Sequence, residues 1–259
     1  MLKKGLIGFT GFVGGTLLKQ TGFDSSFNTS NISQIADYSF DKIYCAGISA
    51  EKWLANKDPD SDLKKIQSLI KNLERVKCNK FILISTVDVF TNPNQVYEDT
   101  EIKKDGLQPY GLHRRYFEEF IENHFKDYLI VRLPGLIGEG LKKNIIFDFL
   151  NTNNLESIDS RGIFQHYPMI NLWSDIEIAD KSSLKILHLT SEPITVEEIA
   201  QLCFEKYFIN EVSPNPVRYD LRTKYASLYG KKIHYQYSRE KILQAISYYA
   251  KNEPLSLLK

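Results

Sequence analysis

The sequence has no uninterrupted apolar run near the roughly 20 residues that a membrane-spanning helix needs, so no membrane partner is expected. Charge of one sign is also lacking. The 33 lysines and arginines nearly cancel the 32 aspartates and glutamates, and nothing in that balance points to nucleic acid or an anionic surface. Cysteine is scarce. Cys45, Cys78 and Cys203 lie far apart, form no C-x-x-C pair and are odd in number, which fits reduced thiols; Cys45 and Cys203 stand in apolar contexts and read as small core residues. The five histidines show no metal-ligand spacing, so no metal site is expected. Met1-Leu2-Lys3-Lys4 runs into glycines instead of a signal-peptide core, and the expected location is cytoplasmic. There is no internal repeat and no low-complexity tract.

What is present is an alternation. "GLIGF", "KIYCAG" (42–47), "KFILIST" (80–86) and "YLIVRLP" (128–134) are short buried-strand runs. Between them, "FVGGTLLKQ", Asp62–Val76 with Ser61 as cap, and Tyr110–Phe125 carry helical periodicity. Strands separated by such helices predict an α/β fold with a parallel sheet, and ligands in such sheets bind beyond the C-terminal strand ends. The informative positions are therefore Gly8–Gly14, Ala46–Gly47, Ser85–Asp88 and Leu133–Gly135. After about residue 140 the pattern loosens. Thr195 and Glu198 still mark a capping box, with Ile194 and Ile199 as its hydrophobic staple, and a final helix is expected after Ser238 with Ile242, Ile246 and Tyr249 on one side.

Gly8, Gly11 and Gly14 recur at three-residue intervals between a strand and a helix. Backbone N–H groups at that helix start can cradle a pyrophosphate, and glycine lets it approach. Gly8, Thr10, Gly11, Phe12, Val13 and Gly14 are the candidate cofactor contacts; packing of helix on strand is the competing explanation. The second strand should fall near "SSFNTSN" (25–31), which offers no acid for a ribose and no arginine for a 2′-phosphate. Asn28 and Ser30 are neutral candidates there, and a solvated loop explains them equally well. Ala46, Gly47, Ser85 and Pro134 complete the expected cofactor lining.

Three further stretches follow in order: "LISTVDVF" (83–90), "QPYGLHRRYFEEF" (108–120) and "LIVRLPGLIGEG" (129–140). With the glycine loop they make residues 1 to 180 resemble the extended short-chain dehydrogenase/reductase family, of the NAD-dependent epimerase/dehydratase type. The resemblance implies a Rossmann-like doubly wound parallel sheet, an NAD or NADP cofactor and a small C-terminal substrate-binding region. It assigns residues 1–140 to the dinucleotide-binding core and 141–259 to the substrate region, interleaved with that core. It also makes Tyr110 the general acid/base and Thr86 the residue that holds the substrate oxygen. Homodimerisation through the helices that include Tyr110 is a further expectation.

A tyrosine with an ordinary pKa of about 10 is a poor base at neutral pH, and a cation four residues on shares its helical face and favours the phenolate. The family usually has lysine there; this sequence has Arg114. The guanidinium either serves Tyr110 or is a structural ion-pair partner. Asp88 stands near an acid of the sugar dehydratases, but Val87 replaces their aspartate, so Asp88 is either substrate-facing or turn-capping. Asn144, Arg161, Gln165 and Arg222 are candidate contacts to a nucleotide-linked substrate, each against a plain surface role. Two functions compete: an NAD(P)-dependent oxidoreductase or epimerase acting on a sugar, by that resemblance a nucleotide-linked one, and a protein that binds NAD(P) without turnover.

Overall fold

The first buried run forms a strand, β1 (Lys4–Ile7), which passes through the glycine turn into α1 (Phe12–Gln20). β2 (Ser25–Phe27) follows, and only a 3-10 turn over Ile32–Asp37 separates it from β3 (Ser39–Cys45). Next come α2 (Lys52–Lys57), α3 (Pro59–Leu73), β4 (Lys77–Thr86) and α4 (Pro109–His124). These coordinates are those of a computed structural model that describes residues 3–255.

The central sheet is parallel and six-stranded, in the order Ile186–His188, Tyr128–Leu133, β4, β3, β1, β2. The sequence order therefore reverses between β1 and β3, whose registers pair Gly5 with Ile43 and Ile7 with Cys45. A doubly wound sheet opens its ligand crevice at such a reversal. Ile7, Ile43, Phe81 and Ile130 from four strands and Ile66, Leu73, Phe117 and Ile121 from α3 and α4 are buried in one core.

α3 begins two residues before the expected cap at Ser61. Asp58 caps it, accepting the Ser61 N–H at 3.2 Å, and Pro59 occupies the first turn, where its missing N–H is harmless. α2 has no counterpart among the expected elements. It is six residues long, buries only Ala55, and so lacks an apolar stripe to read.

The chain divides into two units. The first comprises Met1–Thr91, Asp99–Arg132 and Leu172–Leu187; the second comprises Asn92–Glu98, Leu133–Asn171 and His188–Lys259. The chain thus crosses between the units several times. The physical reason is that Leu172–Leu187 contributes a helix and an edge strand to the large sheet.

In the second unit, Phe149, Ile158, Val196 and Ala200 form a separate apolar cluster. The capping box is complete: the Thr195 hydroxyl accepts the Glu198 N–H at 3.3 Å, and the Glu198 carboxylate accepts the Thr195 N–H at 3.2 Å. Ile194 and Ile199 are both buried, as a staple requires. Thr195→Ala is expected to destabilise the protein by about 1 kcal/mol, visible as a fall of a few degrees in a thermal melt. The final helix, Arg239–Asn252, buries the expected stripe of Ile242, Ile246 and Tyr249.

Candidate active site

The glycine loop explains itself in two parts. Gly8 adopts a φ of +86°, and a Cβ there would lie 2.6 Å from the Gly47 Cα. A Cβ on Gly14 would lie 2.7 Å from the Gly8 carbonyl carbon and closer still to its oxygen. Both glycines are required for β1, α1 and the end of β3 to meet at the strand-order reversal. Gly11 differs. A Cβ there would make an ordinary 3.5 Å contact with the Gly8 oxygen, so packing does not demand glycine at this position. Gly11 is the N-cap of α1, beside the first-turn N–H groups, including those of Phe12 and Val13, that a helix cannot satisfy internally. A pyrophosphate needs those features at that place, and the loop therefore fits a dinucleotide.

Asn28 and Ser30 follow β2 and bond one another. The Asn28 carboxamide oxygen accepts the Ser30 N–H at 2.9 Å and its hydroxyl at 2.7 Å, while the Asn28 N–H donates to Asn31 at 2.8 Å. This tight polar turn closes β2. Ala46 and Gly47 follow β3, where Gly47 leaves room for Ile7.

β4 ends at Ser85 and Thr86, neighbours whose side chains take different partners. The Ser85 hydroxyl donates to Glu118 at 2.6 Å, inside a buried network. Glu118, fully buried on α4, also receives Arg132 at 3.0 and 2.8 Å and Arg115 at 3.0 Å. The Arg132 guanidinium lies 5.2 Å from the Phe90 ring centre. The geometry gives Ser85 a place in the packing of β4 on α4.

Thr86 turns the other way. Its hydroxyl accepts the Asp88 N–H at 3.2 Å, and Thr86 is among the groups beside Tyr110 that favour the ionised phenol. Tyr110 stands in the first turn of α4. Gly111 allows this approach, because a Cβ there would overlap the Asp88 carbonyl. Tyr110 is buried, and its N–H donates to the Asn56 side chain on α2 at 3.0 Å. Burial pushes the phenol above its ordinary range; Arg114 opposes this, Asp88 reinforces it, and Lys52 and Thr86 oppose it.

Arg114 lies over the Tyr110 ring, its guanidinium carbon 3.9 Å from the ring centre. The same guanidinium makes a bidentate pair with Asp62 on α3 at 2.5 and 2.9 Å and donates to the Ser49 carbonyl at 2.6 Å. Asp62 also bonds His113 at 2.8 Å. Burial alone would favour the neutral acid at Asp62, but the bonds from Arg114 and His113 hold its carboxyl below the usual range. Both readings of Arg114 thus meet in one residue: it stacks on Tyr110 and is ion-paired elsewhere. Arg115 points away from Tyr110, onto Glu118 and Glu122.

Asp88 sits in the turn after β4, with Lys52 of α2 donating to it at 2.7 Å. Lys52, Asn56, Asp62 and Glu118 were not singled out from the sequence. The partners of Lys52, Asn56 and Asp62 lie between 36 and 54 residues away, beyond any local spacing rule, and Glu118 joins Ser85, 33 residues away, and Arg132, 14 away.

The second unit holds the remaining candidates. Pro134 precedes the short strand Gly135–Ile137. Asn144 caps the helix Ile145–Asn151, accepting from Ile146 and Phe147 at 3.0 and 3.2 Å and donating to the Leu136 carbonyl at 2.9 Å. Gln165 is buried, and its amide bonds Thr190, Ser191 and both backbone groups of Leu221. Arg161 pairs with Asp159 and Glu211, and Arg222 with Asp220. Each of these side chains is engaged within its own unit.

The fold and the first unit's geometry define a Rossmann-like α/β protein with a glycine loop at the strand-order reversal and a threonine–tyrosine pair beyond β4. No protein-family model matches the chain, and no curated protein matches its sequence. Solved structures do match in fold. UDP-glucose 4-epimerase from Thermotoga maritima, solved with UDP-glucose, aligns over 96% of this chain and 97% of its own at 14% identity and a TM-score of 0.71. dTDP-4-dehydrorhamnose reductase from Bacillus anthracis, solved with NADP, aligns over 96% and 97% at 17% identity and a TM-score of 0.73. The enzyme WbmG of Bordetella bronchiseptica, solved with NAD, aligns over 97% and 95% at 13% identity and a TM-score of 0.73. At these identities the likeness establishes a shared fold, a Rossmann-like parallel sheet flanked by helices.

Proposed function

We propose that this protein is an NAD(P)-dependent oxidoreductase or epimerase of the extended short-chain dehydrogenase/reductase type, acting on a nucleotide-linked sugar. The observation that carries this reading is the buried Tyr110, stacked with the Arg114 guanidinium and flanked by Thr86 at the end of β4, in the same unit as the Gly8–Gly14 loop. The relatives in fold support the choice of substrate, since their bound or named ligands include UDP-glucose and dTDP-4-dehydrorhamnose.

The nicotinamide cofactor supplies or accepts the hydride when bound. Gly8, Gly11, Gly14 and the start of α1 hold its pyrophosphate. Thr86 holds the substrate oxygen by its hydroxyl. Tyr110 moves the proton: its O–H donates to the oxygen of a carbonyl being reduced, and its phenolate takes the proton back from a hydroxyl being oxidised. Burial keeps the phenol protonated at neutral pH, so Tyr110 enters the cycle as an acid, which suits reduction of a ketone.

Titration with NADH and with NADPH, followed by nicotinamide fluorescence, tests the first step; failure of both to bind overturns it. Gly11→Ala is expected to weaken binding of the preferred cofactor by about tenfold with little change in thermal stability. Gly14→Ala is expected to lower stability itself, because the added methyl overlaps the Gly8 backbone. Turnover is then sought with dTDP-4-dehydrorhamnose and with UDP-glucose.

A second reading, binding without turnover, draws on the bidentate pairing of Arg114 with Asp62. Saturable cofactor binding with no hydride transfer to any nucleotide-linked sugar would favour it.

A further inference from the structure

Arg114 brings a positive charge to the face of the Tyr110 ring, but that charge is matched by the Asp62 carboxylate. A second cation approaches the same tyrosine from α2. Lys52 and Asn56 are four residues apart and share a helical face. Asn56 accepts the Tyr110 N–H at 3.0 Å and donates to Gln108 at 2.7 Å, so it seats α2 on the start of α4. Lys52, one turn earlier, reaches the Asp88 carboxylate at 2.7 Å. The other Asp88 oxygen lies 3.5 Å from the Thr86 hydroxyl, and the Asp88 backbone is pressed against Gly111, the residue after Tyr110. One short helix therefore fixes the backbone of the tyrosine and the charge of the carboxylate beside it.

We propose that Lys52 is a positioning residue for Tyr110: it offsets Asp88 and adds a second positive charge to that of Arg114, which the Asp62 carboxylate pairs. The groups that face the Tyr110 side chain are Arg114 on its own helix, Thr86 at the end of β4, Asp88 in the following turn and Lys52 on α2. With Lys52 present, the charge of Asp88 is compensated, and the phenolate left after proton donation is tolerated. Without it, Asp88 loses the positive charge that offsets it, and a second negative charge on Tyr110 is disfavoured.

This inference rests on Tyr110 being the acid/base, but its test does not require turnover. In protein carrying 13Cζ-tyrosine, the Tyr110 resonance is identified by its loss in Tyr110→Phe and followed through an alkaline titration. Lys52→Met is expected to move the ionisation upward by about one pH unit, a tenfold loss of phenolate at a given pH. Lys52→Arg should stay near wild type, and Asp88→Asn should move it downward. Lys52→Met should matter much less in an Asp88→Asn background, because the carboxylate through which it acts is gone. Lys52 is partly exposed, so these variants are expected to fold. An unchanged ionisation in Lys52→Met, an Arg variant that shifts as far as Met, or additive effects of Lys52→Met and Asp88→Asn would each overturn the proposal. If a substrate is turned over, the Tyr110-dependent limb of the kcat/KM pH profile should move in the same direction. Absent turnover with the expected titration shifts would count against the enzymatic reading alone.

Discussion

Tyr110→Phe is expected to lower kcat by about 10²- to 10⁴-fold while leaving cofactor binding intact, as loss of a positioned acid/base does. The substitution removes one oxygen and keeps the ring. The stacking of Arg114 on that ring, 3.9 Å away, and the bond from the Tyr110 N–H to Asn56 should survive it. A fall in turnover therefore reports the proton and not the scaffold. Nicotinamide fluorescence would verify that binding is unchanged, and NADPH absorbance with a nucleotide-linked keto sugar would give the rate. Equal turnover in wild type and variant would remove Tyr110 from the chemistry.

The largest stability effect is expected at Glu118. Its carboxylate receives Arg132, Arg115 and the Ser85 hydroxyl, and both Glu118 and Arg132 are essentially sealed from solvent. Glu118→Ala removes the buried carboxylate that pairs with the Arg132 guanidinium and with Arg115, a loss of about 3–5 kcal/mol. For a chain of this size that corresponds to a fall of roughly 10 °C in Tm. Replacing both partners together, as in Glu118→Leu with Arg132→Met, should be milder, because the buried pair is then removed whole. Melting curves for the single and double variants decide the matter. A double variant as unstable as Glu118→Ala would show that packing, and not the lost charge pairing, dominates.

The sequence made the sheet legible because its strands are short apolar runs whose ends carry glycine, serine and proline. The capping box at Thr195 and Glu198 was equally readable, since both halves of that motif lie within four residues. α2 was not readable. Its single buried residue leaves no periodicity, and Trp53 is largely exposed there. The partners of Arg114 were hidden for a different reason. Its neighbour on the helix, Tyr110, follows from spacing, but Asp62 lies 52 residues away on another helix. The alternation of a strand explains the contrast at Ser85 and Thr86: adjacent residues face opposite ways, so Thr86 stands beside Tyr110 and the Ser85 hydroxyl meets Glu118. The polar candidates in the second unit looked available because sequence shows a side chain's chemistry and conceals its internal partners.

The return of Leu172–Leu187 to the large sheet limits how this gene can be cut. A fragment ending near residue 140 would carry the whole glycine loop and the threonine–tyrosine pair, yet it would lose the edge strand Ile186–His188. It would also lose Asp180, the carboxylate that pairs with Lys42 and with the nearly buried Lys80. A contiguous fragment that keeps both must run to about residue 188 and carries Asn92–Glu98 and Leu133–Asn171 of the second unit with it; a piece confined to the first unit would have to be spliced from separated segments with designed linkers.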